Sequence, residues 1–230
     1  MGAECLICGA PLEYLERDEQ MECAVCRRRE SSKARCVNGH YICSECHTVG
    51  IGSVIGLCLA ETSRNPVEIL DRMMSQPFCH MHGPEHHVMV GAALLTAYRN
   101  AGGDIDLSDA LVEMMHRGKS IPGGACGFWG ACGAGISAGI FISIISKCTP
   151  LAEKPFALSN QMTSAALGRI GEIGGPRCCK RDSFLSILAA ADFAKAHFGV
   201  NMECPGVICR YRAQNNQCIG TRCPFFPERC

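Results

Sequence analysis

Aromatic side chains are scarce: tryptophan, tyrosine and phenylalanine make up 6% of 230 residues, with a single tryptophan. A core built without them must pack small and aliphatic side chains closely, which suits helices lying against helices. Net charge is also lacking, with 22 basic against 22 acidic residues, so no whole-chain basic footprint points to nucleic acid. A convincing membrane span is missing too. The uncharged stretch 127–146 is glycine-rich in its first half, and no arginine cluster or aromatic belt flanks it. A soluble chain with a buried helix over Ala134–Ile145 is expected. Three enzyme signatures are absent: the H-E-x-x-H of metalloproteases, the strand-turn-helix fingerprint for S-adenosylmethionine or NAD, and the C-x3-C-x2-C run of radical S-adenosylmethionine enzymes.

Cysteine is what the chain has in excess, 19 residues. A secreted disulfide framework fits poorly. The chain is long, the count is odd, MGAECLICGAP does not read as a signal peptide, and several cysteines form C-x2-C pairs. Metal or cluster ligation in a reducing cytoplasm is the expectation.

The pattern divides the chain into a zinc module at 1–47, a helical core at 48–200 and a cysteine-rich tail at 201–230. The fold class expected is mainly α, with a zinc-ribbon or RING-like module in front. Cys5, Cys8, Cys23, Cys26, Cys36, His40, Cys43 and Cys46 supply eight ligands, enough for two tetrahedral zinc ions. The sites are either sequential (Cys5, Cys8, Cys23, Cys26, then Cys36, His40, Cys43, Cys46) or interleaved. Interleaving pairs Cys23, Cys26, Cys43 and Cys46, leaving Cys5, Cys8, Cys36 and His40. The finger-like run from Cys36 to Cys46 favours interleaving. So small a module takes its folding energy from metal.

In the core, Val49–Ala60 reads as a buried helix with Cys58 as a packing residue. Asn65-Pro66 starts another helix. The run Phe78–His87 then crowds Cys79, His80, His82, Glu85, His86 and His87 before a helix to Asn100. Ser108 caps a short helix to Arg117. Gly123–Ile145 brings Cys126 and Cys132 in a glycine-rich loop that feeds the apolar helix. A helix from Ser159 or Asn160 to Ile173 follows, and Cys178-Cys179 open a helix to His197. Cysteines at several helix starts suggest one anionic centre stabilised by free N–H groups, such as an iron–sulfur cluster. Lys180 and Arg181 either hold an anionic substrate or lie on the surface. In the tail, Cys204, Cys209, Cys218 and Cys223 are spaced for a [4Fe–4S] cluster, with zinc as the alternative and Cys230 unligated.

The segments CHMHGPEHH, CGFWGACGAGISAGIF, GGPRCC and CPFFP together resemble a family described only as a domain of unknown function. It occurs in anaerobic archaea and bacteria, sometimes fused behind a methyltransferase domain. The resemblance covers nearly the whole chain and implies an anaerobic setting linked to sulfur, methyl-group or redox metabolism.

The functional expectation is an iron–sulfur enzyme with one or two [4Fe–4S] clusters and two zinc ions. Cys126, Cys132 and one of Cys178/Cys179 would hold a cluster, with Cys79 as an optional fourth ligand. His82, Glu85 and His86 would move protons in sulfur transfer, desulfuration or lyase chemistry on a small molecule. A second reading is a non-catalytic carrier or adaptor that docks a methyltransferase or redox partner through residues 1–47. A third is a thiol-redox protein cycling Cys178-Cys179 or Cys126/Cys132 without iron. Neither nucleic acid nor membrane is an expected partner.

Overall fold

The computed structural model describes Cys5 and residues 10–24, 27–47 and 53–227. They form a mainly helical protein with one two-stranded sheet. In the N-terminal module, β1 (Leu12–Glu22) pairs antiparallel with β2 (Arg29–Cys36), from Leu12 opposite Cys36 to Glu22 opposite Arg29. Sequence reasoning did not foresee this hairpin, because its strands lack an apolar/polar alternation. It is matched instead by charge. Arg35 reaches Glu13 and Glu19, each at 2.7 Å, and Arg29 lies 3.3 Å from Glu22. Such exposed pairs contribute little, so the module needs another source of stability. The short α1 (Ser44–His47) follows.

The core runs α2 (Ser53–Leu59), α3 (Pro66–Met74), α4 (His86–Asn100), α5 (Leu107–Lys119), α6 (Ala125–Phe128), α7 (Gly133–Ile145), α8 (Lys154–Ile173) and α9 (Cys179–Phe198). Helix α4 is the axle: every residue from His86 to Tyr98 is buried, with α3, α5, α7 and α9 around it. Asn65 caps α3 as expected, its Oδ1 accepting from the N–H groups of Val67 at 3.0 Å and Glu68 at 3.2 Å. The cap of α5 is Asp106, not Ser108, since burial of Leu107 draws the helix start back. Helix α8 begins at Lys154, ahead of Ser159, with Pro155 in its first turn.

Gly123–Ile145 is not one loop feeding one helix. It forms the single turn α6, a bend at Gly130, where φ is +64°, and then α7. The α7 glycines serve helix packing, not the approach of backbone to a cluster. A Cβ on Gly139 would sit 1.9 Å from Thr163 Oγ1, and one on Gly135 2.7 Å from Leu167. Among the described residues no helix is long and apolar enough to cross a membrane. Helix α7 is about 20 Å long, against a hydrocarbon layer of about 30 Å.

The C-terminal lobe has little regular structure. Side-chain contacts fasten it to the core. Tyr211 donates its hydroxyl to Asp71 at 2.6 Å, and the Phe225 ring meets Phe184 at 5.6 Å.

Candidate metal centres

Among the described residues, four sets of ligand atoms lie within 4.8 Å of one another. Two belong to the N-terminal module: Cys5, Cys36 and His40, and Cys23, Cys43 and Cys46. The grouping is that of the interleaved alternative. Cys8 and Cys26, the fourth ligands expected, lie outside the described residues. Backbone N–H groups already point at the sulfurs: Cys43 donates to Cys23 Sγ at 3.3 Å, Cys46 to Cys43 Sγ at 3.4 Å and Asn38 to Cys36 Sγ at 3.3 Å. Turns of this kind stabilise thiolate charge and fix ligand direction.

In the core, Cys126 lies in α6, Cys132 caps α7 and Cys179 is the first residue of α9. These three share one neighbourhood. Burial, and then the adjacent Asp182, pushes the Cys132 thiol up to about 12, with Cys126 adding to the rise. Burial also raises Cys179 well above an ordinary thiol. Arg177 and the Gly83 N–H oppose that rise, while Cys132 and Asp182 reinforce it. The Tyr14 phenol, on β1, is raised by burial and by Cys126 and Cys179, and is lowered by Arg177. The Arg177 guanidinium lies 5.3 Å from the Tyr14 ring centre. The hairpin therefore sits over these thiols.

Cys178 points elsewhere. Successive residues at a helix start diverge by roughly 100°. The Cys178 sulfur accepts from Arg181 N and Asn215 Nδ2, each at 3.5 Å, and lines a hollow with Cys209, Cys218, Cys223 and Phe225. Cys204, expected in that tail set, stands apart. Burial, and next Asp192, raises its thiol to about 11. Asp192 lies about 20 Å along α9 from Cys178. Cys178, and not Cys204, lines that hollow with the three tail cysteines.

Cys79 does not join the Cys126–Cys132–Cys179 group. Its sulfur accepts from Lys180 Nζ at 2.9 Å and lies 3.7 Å from His86 Nε2. Burial pushes the thiol up to about 11, against the pull of Lys180. Lys180 is itself buried and also donates to the His80 carbonyl at 2.9 Å, so it is neither a surface residue nor a free anion clamp. Arg181 is equally buried, paired with Asp182 at 3.0 Å and donating to the Gly174 and Pro176 carbonyls.

The histidines of the 80–87 run take separate duties. His87 Nδ1 lies 3.1 Å from the Ile121 carbonyl, its ring filling the space that a Cβ on Gly133 would occupy. His86 Nδ1 lies 3.0 Å from the Gly83 carbonyl, and burial lowers its pKa to about 3. His82 Nε2 lies 3.3 Å from Asn215 Oδ1, and burial lowers its pKa to about 4. Glu85 is fully buried. Burial alone would raise it, but His47, His80 and His86 around it hold it well below the usual carboxylate range. His47, from the end of α1, was not foreseen here. Thirty-three residues separate it from His80, and no periodicity connects them.

A family model described as a family of unknown function (DUF5714) matches residues 54–226, and the chain belongs to that family. No curated protein and no solved structure matches.

Proposed function

We propose that this family member is a cytoplasmic iron–sulfur enzyme of anaerobic metabolism, acting on a small sulfur- or carboxylate-bearing substrate. The observation that carries the reading is the meeting of Cys126, Cys132 and Cys179, from three separate helix starts, in one desolvated neighbourhood. The donor set fits an iron–sulfur cluster. Burial holds the Cys132 and Cys179 thiols well above an ordinary thiol, N–H groups of Ala134, Gly135 and Gly83 face their sulfurs, and the three cysteines do not close to the spacing of a single ion. Such a cluster supplies a Lewis-acidic iron or an electron. Three thiolates on four irons leave one iron without a protein ligand, as sulfur transfer, desulfuration or lyase chemistry requires.

Beside it, Cys79 has its proton partner in His86 Nε2 and a charge partner in Lys180. The Gly83 carbonyl holds the other ring nitrogen of His86, so Nε2 is the one left to accept. His82 and Asn215 link this neighbourhood to Cys178. Cys178, Cys209, Cys218 and Cys223 would then hold a second cluster, for electron transfer, and the N-terminal module two zinc ions.

Anaerobic purification with iron, sulfide and zinc analysis tests the reading. Iron, labile sulfide and broad absorption near about 400 nm are expected. Two zinc ions with no iron and no visible absorption would sink it. The exposed, charged stretch 16–20 within β1 favours a second reading, that of a carrier or adaptor docking a methyltransferase or redox partner. Unchanged activity after replacing His82 and His86 would select that second reading.

A further inference from the structure

We propose that His47, His80 and Glu85 form a separate site for one divalent transition ion, zinc or ferrous iron, clasping the N-terminal module to the helical core. Their ligand atoms lie within 4.8 Å of one another. His47 Nδ1 and Glu85 Oε2 are 3.3 Å apart, and His80 Nδ1 is 3.4 Å from Glu85 Oε1. His47 Nδ1, His80 Nδ1 and Glu85 Oε2 are nevertheless buried without a hydrogen-bond partner. Leaving one such atom unsatisfied costs about 1–3 kcal/mol, and three orphans gathered at one point need a common partner. Two imidazoles and one carboxylate are the donor set of open zinc and non-haem iron sites.

The surroundings hold this geometry. The His80 backbone N–H donates to Glu85 Oε1 at 2.8 Å, which fixes the carboxylate with Oε2 toward His47. The His47 and His80 rings meet edge to face at 4.7 Å. A Cβ on Gly83 would stand 2.1 Å from Glu85 Oε2 and 2.6 Å from His47 Cε1, so the position has room only for glycine. The adjoining set of Cys79, Glu85 and His86 also lies within 4.8 Å. There, however, Lys180 engages the sulfur and His86 Nδ1 faces the Gly83 carbonyl. The unpartnered atoms select His47, His80 and Glu85. The site uses no sulfur and does not rest on the iron–sulfur reading.

The test is Co2+ titration of the full-length protein as purified, followed by absorption spectroscopy. The wild type is expected to take up one Co2+ with weak d–d bands and no thiolate charge-transfer band. His47→Ala and His80→Ala should each weaken that binding by more than about tenfold, the lower bound seen when only an outer partner is lost, while iron and cysteine-bound zinc stay constant. Unchanged Co2+ affinity in both variants, or a thiolate charge-transfer band in the wild type, overturns the proposal. His47→Ala keeps the test decisive if His80→Ala fails to fold, because His47 is partly exposed at the end of α1. Failure of the iron–sulfur reading would show separately, as missing iron in the starting protein.

Discussion

The N-terminal module and the helical core are both rich in cysteine, yet the two use it in opposite ways. In the module, sulfurs crowd to within 4.8 Å and little else holds the hairpin: its strands pair through exposed Arg–Glu contacts and its side chains are largely exposed. In the core, Met89, Leu94 and Leu95 of α4 pack with Phe141 of α7, Cys58 serves only as a packing residue, and Cys126, Cys132, Cys178 and Cys179 sit at helix ends on its margin. Cysteine makes the first structure and decorates the second. A shared residue type therefore does not imply a shared role.

Four perturbations bear on that contrast, the strongest first. Stripping the zinc proposed for the module would remove a binding free energy on the order of 10 kcal/mol. Circular dichroism with a strong chelator should then show the hairpin lost and the helical signal kept; loss of both together would break the contrast. Leu94→Ala, in the fully buried face of α4, should cost about 3 kcal/mol in denaturant unfolding of the core and leave the metal content of the N-terminal module unchanged. Gly139→Val forces α7 from α8 at Thr163 and should cost about 1–3 kcal/mol, read as a lower Tm. Asn65→Ala removes the cap of α3 for about 1 kcal/mol. Against these, Cys132→Ser sharpens the point: on the iron–sulfur proposal it should remove iron while shifting core stability less than Leu94→Ala.

Much of the core was legible because its signals are local. The Asn65-Pro66 start and the stop at Gly199 are set by residues next to the element they end. Where two capping residues compete, as Asp106 and Ser108 do, burial of Leu107 decides, and burial is not a local property. The hairpin was missed because its pattern is charge opposite charge across two strands, which a single-strand reading does not display. In the N-terminal module the interleaved grouping was legible in the finger-like run; in the core the partners of each cysteine were not. Cys178 and Cys179 are neighbours in sequence, but the turn of α9 sends one to the tail and the other to Cys132. His47 joins His80 and Glu85 only because α1 ends against the turn before α4.

Tyr14 carries one more consequence. Its ring lies between the hairpin and the core thiols, with Arg177 beside it and Phe128 6.0 Å away, while Lys33 of β2 lies 5.1 Å from the Phe128 ring centre. The module thus lies over Cys126 and Cys179 like a stopper. Were the core to hold the cluster proposed above, that bulky inorganic guest would be seated while the hairpin is still open, and the hairpin would close behind it. On the same proposal, metal binding by the module would set the order of assembly, and its loss would expose to oxidants what the core had kept covered.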